Sequence, residues 1–248
     1  MKNGNGHGSG SDALRNAPKR FYKAVSVAAT DGGWQVLLDG RGVKTPRRLG
    51  LRLPTQALAE AIAAEWDAQQ ASIDPRTMPL TKLANSTLDG VIGREAAVAG
   101  EIVGYAASDL LCYRAERPDT LARTQRQCWD PLLAWARERF GAELNTTAGI
   151  MPVGQSDEAL AALRDAITAL DAFALAAAHV MTTLTGSAVL ALAHIHGHLT
   201  LDEAWTAAHV DEDFQTGRWG EDTEAKARRQ ARQAEMAAAS QFHRDSRS

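Results

Sequence analysis

The stretch Leu49-Gly-Leu-Arg-Leu-Pro-Thr-Gln-Ala-Leu-Ala-Glu-Ala-Ile-Ala-Ala-Glu-Trp66 changes its period part-way along. Leu49, Leu51 and Leu53 alternate with Gly50 and Arg52, the repeat of a half-buried strand. Beyond Pro54 the apolar residues fall at Leu58, Ile62 and Trp66, one face of a helix, and Thr55 stands where an N-cap belongs. Short strands therefore precede this point and helices follow it.

Working back from it, Tyr22, Ala24 and Ser26 alternate with Lys23, Val25 and Val27, and Asp31-Gly32-Gly33 is a hairpin signal before Trp34-Gln-Val-Leu-Leu38. Asp39-Gly40 turns again into Gly42-Val-Lys-Thr45. Working forward, Asp130-Pro131 reads as a helix start and Gly141 as its end. Ser156 and Asp171 cap later helices, and Gly186 and Gly197 punctuate two Ala/Leu-rich ones. Thr200-Leu-Asp-Glu203 is a capping box, expected to launch one helix that carries Trp205, His209 and Asp211 to Asp213. From Glu221 the chain reads as a charged, solvated helix that frays at Phe242-His-Arg-Asp-Ser246. The expected class is α+β, with a small N-terminal antiparallel β domain and a larger all-helical domain. The expected division is a flexible tail at 1–18, the β domain at 19–54, the helical domain at 55–220, and a charged C-terminal helix and tail at 221–248.

Length and composition suit an ordinary globular chain: 248 residues, 45% hydrophobic and 23% charged. The net charge of −3 hides a split, since residues 1–54 hold ten Lys/Arg against three Asp/Glu and the rest holds 17 against 27. Two cysteines, Cys112 and Cys128, are too few for a disulfide framework and suit a reducing compartment. The N-terminus lacks the apolar core of a secretory signal and the Arg/Ser-rich pattern of a transit peptide, which points to the cytoplasm. Ala172–Ala193, the most apolar run, is broken by His179, three threonines and Gly186, so two buried helices suit it better than a membrane span.

Few residues suggest chemistry. His194 and His198 have the spacing of a zinc pair, but Gly197 ends the helix between them and no zincin glutamate follows His194. His209 with Asp211, Glu212 and Asp213 could hold a divalent ion or serve a metal-dependent hydrolase. Consecutive helical residues point about 100° apart, however, so these carboxylates do not converge unaided. Their other readings are a plain acidic face and a contact surface for a basic partner. Cys112 sits among Leu110, Leu111 and Tyr113, like a small buried hydrophobe. Lys44-Thr-Pro-Arg47-Arg48 could touch phosphates in a small RNA-binding β domain, although aromatic platforms are sparse; a solvated basic edge is the plainer reading. Trp66, Trp129 and Trp135 have core spacing, and Trp66 is expected to anchor the first helix. Trp219, in the polar stretch Gly217-Arg-Trp-Gly220, has the setting of an interface residue.

Several stretches, in order, resemble the assembly chaperones of the F1 part of ATP synthase, the members that hold the α subunit. They are Leu38-Asp-Gly-Arg41 with Lys44-Thr-Pro46, Glu65-Trp-Asp-Ala-Gln-Gln70, Pro79-Leu-Thr81 with Leu83, and Asn85-Ser-Thr-Leu-Asp89. Cys112-Tyr-Arg-Ala-Glu116, Gln125 to Pro131 with Trp135, Gly197 to Ala204, and Glu212-Asp-Phe-Gln215 with Arg218-Trp-Gly220 complete the set. The resemblance implies a bacterial relative that shields unassembled F1 α subunit until β subunits join. It implies no catalysis, no cofactor or metal, and no nucleic-acid, small-molecule or membrane partner. It also implies a partner surface around Asp211, Glu212, Asp213, Gln215, Arg218 and Trp219, with Glu212 the best single match to the family's functional acidic position.

Overall fold

The computed structural model describes residues 18–149, 151–220 and 222–248; the tail expected at 1–18 lies outside them except for Pro18. Strands β1 (Val25–Thr30) and β2 (Gly33–Leu38) form a hairpin about Asp31-Gly32. Gly33 is required there: its φ is +143°, and a Cβ would lie 2.4 Å from the carbonyl oxygen of Leu53. The other edge of β2 is shared by β3 (Arg41–Gly42), opposite Leu37–Leu38, and β4 (Arg52–Leu53), opposite Trp34–Gln35, all antiparallel. Alternation places Val25, Val27, Trp34, Val36, Leu38 and Leu53 on one face.

That face rests on α1 (Gln56–Asp67), whose buried stripe is Leu58, Ala59 and Ile62. The Thr55 hydroxyl accepts from the Leu58 amide as expected and donates to the Asp245 carbonyl near the C-terminus. Fully burying aliphatic side chains such as Leu53, Leu58 and Ile62 contributes about 1.5–3 kcal/mol each. Trp66 is only partly buried; it meets Tyr22 edge-on at 5.7 Å and offers its carbonyl to the Tyr22 hydroxyl at 2.6 Å. Helix α2 (Pro79–Ser86) has no capping side chain of its own. Glu65 of α1 supplies one from outside, accepting from the Leu80 amide at 2.7 Å and from the Thr81 amide and hydroxyl at 2.8 and 2.7 Å. Burial still pushes the Glu65 carboxyl above its usual range.

The remaining helices are α3 (Glu95–Ala106), α4 (Asp119–Phe140), α5 (Asp157–Thr168), α6 (Ala172–Thr185), α7 (Ala188–Ile195), α8 (Leu201–Ala208), α9 (Val210–Trp219) and α10 (Thr223–Asp245). Helix α6 is central, packed by α3, α7 and α10. A short parallel pair, β5 (Tyr113–Arg114) with β6 (Thr147–Ala148), precedes and follows α4. At the start of α7, the fully buried Asp109 accepts from the amides of Leu111 and Val189, both at 3.1 Å; burial raises its carboxyl to about 6. One hydrophobic cluster runs from Val36 and Leu53 through Ile62 and Trp129 to Phe242.

The α+β class and its order stand. Three expectations are corrected. Pro131 lies inside α4, which begins at Asp119. Proline costs a helix interior roughly 3 kcal/mol, and burial of Trp129, Leu132 and Ala136 around it offsets that. The helix from Thr200 stops at Ala208; His209, at φ −117° and ψ 20°, breaks it before α9. The C-terminal helix is not solvated throughout, because Met236, Ala239 and Phe242 are fully buried and Phe242 stacks on Phe173 at 5.6 Å.

Candidate interaction surface

Helix α8 opens with the expected capping box: the Thr200 amide donates to Glu203 at 2.7 Å, and the Glu203 amide to the Thr200 hydroxyl at 3.3 Å. Trp205, buried on this helix, lies 3.8 Å ring to ring from His209, whose Nδ1 pairs with the Trp205 carbonyl at 2.7 Å. The break at His209 starts a new helix, so Asp211, Glu212 and Asp213 stand in the first turn of α9, not midway along a longer helix. Carboxylates are favoured there because the helix presents unpaired amides and the positive end of its dipole.

The three carboxylates go separate ways, as helical spacing requires. Asp211, partly buried, accepts from Gln125 Nε2 at 2.6 Å. Gln125, 1% exposed on α4, in turn accepts from the Ala115 amide at 2.7 Å. Asp213 pairs with Arg229 at 2.5 Å. Glu212, half exposed, lies 3.8 Å from both Arg232 and the Nε2 of His209. Arg232 also donates to the Leu184 carbonyl at 2.6 Å, at the end of α6. Further along α9, Arg218 sits over Phe214 at 4.6 Å, Gln215 is exposed, and Trp219 is 78% exposed at the helix end. Large apolar side chains left this open are characteristic of contact surfaces.

The α9 residues thus share one element, but Asp211 is engaged internally and belongs to the fold as much as to a surface. Sequence reading missed Arg229 and Arg232, which neutralise the acidic turn from α10; their spacing of three on a charged helix was the available signal. The amino-terminal half of α10, from Asp222 to Glu235, contributes no buried residue, so charge pairs of this kind carry its docking.

Other candidate residues resolve into structure. Among the described residues no group of His, Cys, Asp and Glu has the arrangement to hold a metal ion. His194 bonds the Leu199 carbonyl at 3.0 Å and Ser240 at 2.8 Å, while His198 stacks on Trp135 at 4.9 Å. His209 is 1% exposed and burial lowers its pKa, which leaves it neutral and closed to a substrate. Cys112 is fully buried and its thiol is pushed up to about 12, the opposite of a reactive thiolate. Trp34 lies on the covered face of the sheet and Tyr22 is buried, which leaves Phe21, 73% exposed, as the one open aromatic side chain of the β domain among the described residues, short of the several platforms a single-strand binder uses. Trp129, fully buried, donates to the Ala207 carbonyl at 2.8 Å and ties α4 to α8, with Arg114 over its ring at 5.1 Å. Among the described residues no helix is long and apolar enough to cross a membrane.

Comparison with known proteins agrees with this architecture. Residues 19–137 match the family model described as ATP12 chaperone protein. The mitochondrial protein atp12 of Schizosaccharomyces pombe is 25% identical over 214 residues, covering 82% of this chain and 74% of that one. The crystal structure of Atp12 from Paracoccus denitrificans superposes with a TM-score of 0.88 at 44% identity, covering 92% of this chain and 98% of that chain. A structure from Agrobacterium tumefaciens gives the same TM-score and identity over 92% of this chain and 86% of its own. With close identity along almost the whole of a solved Atp12, and the same β-then-helical order, this chain belongs to the ATP12 chaperone family.

Proposed function

We propose that this protein binds unassembled F1 α subunit of ATP synthase and keeps it from aggregating until β subunits join, with no catalytic step. Membership of the ATP12 chaperone family, together with the ordered motifs, is what carries this reading. Helix α9 supports it locally, since Glu212, Gln215 and Trp219, spaced three and four residues apart, are all exposed on one helix. An exposed tryptophan on a charged helix can cover apolar client surface while the charges set orientation and on-rate. Release would follow from competition by the β subunit, because covering a client needs only reversible contact. The working compartment is then wherever F1 subunits are made, the cytoplasm for a bacterial chain. Co-purification tests the reading: tagged protein expressed with F1 α subunit alone should retain it, and addition of β subunit should displace it. No retention of α subunit would overturn the proposal.

A further inference from the structure

The loop between β3 and β4 carries Lys44, Arg47, Arg48 and Leu49, and the fold uses none of these four side chains. Among the described residues no carboxylate pairs with any of the three cations, and Leu49 is 50% exposed. Of the eight cations from Lys19 to Arg52, Arg20 alone makes an ion pair among the described residues, with Asp67.

The loop is nonetheless rigid. Thr45, 4% exposed, pins it: its amide donates to the Leu49 carbonyl at 2.8 Å, its carbonyl accepts from Arg48 at 2.8 Å, and its hydroxyl accepts from Leu49 at 3.2 Å. The Arg47 amide donates to Asp89 at 3.1 Å, which fastens the loop to the turn after α2, three residues before the exposed Ile92. Arg48 is held at φ +66°, a left-handed conformation that a long side chain adopts at a cost and glycine adopts freely. Strained backbone of this kind persists where the surroundings over-determine it, and it concentrates at functional positions.

We infer that this loop is a second docking surface, preorganised for an acidic polypeptide segment that carries an aliphatic side chain. Charge complementarity selects the occupant: three unpaired cations flank one open leucine, on a sheet of like charge. Nucleic acid is disfavoured because no aromatic side chain of the loop offers a stacking face. An anionic membrane is disfavoured because the loop sets one open aliphatic side chain beside its cations and has no amphipathic helix to bury in a lipid interface. The inference goes beyond the α9 surface and does not depend on the client being an F1 subunit.

The test is fluorescence anisotropy on the full chain, with a labelled peptide alternating glutamate and leucine, a thymidine oligonucleotide of equal charge, and phosphatidylserine vesicles. The peptide should bind best, and Lys44→Glu/Arg47→Glu/Arg48→Glu should weaken it about tenfold or more. Arg48→Gly guards against a folding artefact: it should raise the melting temperature, by relieving strain, and still weaken the peptide. Tighter binding of oligonucleotide or vesicle, absence of peptide binding, or binding indifferent to both variants would overturn the inference.

Discussion

Adjacent carboxylates in the first turn of α9 should respond differently to substitution. Glu212 is half exposed, and its charged neighbour, Arg232, stands 3.8 Å away, at the outer limit of an ion pair; the neutral His209 lies at the same distance. Pairs of this exposure contribute about 0–1 kcal/mol. A lysine in the first turn adds an unfavourable dipole interaction of roughly 0.3–1 kcal/mol. Glu212→Lys should therefore cost about 1 kcal/mol, a fall of about 2–4 °C in Tm for a chain of this size. Asp211→Ala, one residue away, strands the amide of Gln125, which is 1% exposed. An unsatisfied buried donor costs about 1–3 kcal/mol, so with the lost first-turn charge the total is about 2–3 kcal/mol and the fall in Tm about 5–10 °C. Capture of α subunit should show the reverse order, with Glu212→Lys impaired and increasingly so at low salt. Calorimetry of both variants, followed by α-subunit binding at two salt concentrations, reads both quantities. Equal loss of stability in the two would refute the assignment of Asp211 to the fold and Glu212 to the surface.

Three further outcomes follow from particular contacts. Arg229→Ala/Arg232→Ala removes the cations that cover the acidic turn, so α-subunit capture should tighten while the melting curve shifts by no more than about 1–2 kcal/mol. Glu65→Ala leaves the Leu80 and Thr81 amides of α2 uncapped and should cost about 2–3 kcal/mol by chemical denaturation. Asp109 titrates near 6 when folded against 3.8 unfolded, so the native state holds the proton more tightly. Its contribution is full below about pH 4 and is lost as pH rises to 6, up to about 3 kcal/mol. His209 and His243, both lowered by burial, oppose this, because their contribution is lost as pH falls below the unfolded value of 6.5. The difference between wild type and Asp109→Asn, followed from pH 4 to 7, isolates the Asp109 component.

Much of the fold is legible because it rests on local chemistry. The hairpin at Asp31-Gly32, the Thr55, Ser156 and Asp171 caps, and the glycines closing helices at Gly141 and Gly186 are each decided within a few residues. The misread places are those where tertiary packing overrules local preference. Pro131 reads as a helix start by propensity, and only burial around it keeps α4 continuous. Met236, Ala239 and Phe242 have core spacing, but alanine on every side of α10 hides the stripe from a periodicity reading. The surface residues were legible as a group; their roles were not. That Asp211 turns to Gln125, 86 positions away in the chain, depends on how α4 and α9 pack, which no local pattern records.

The central claim is tested most directly by diluting denatured F1 α subunit into buffer with and without this protein, in the absence of nucleotide, and following light scattering. Stoichiometric protein should suppress the rise in scattering, with Glu212→Lys suppressing it less. Equal aggregation with and without the wild-type chain would contradict the account.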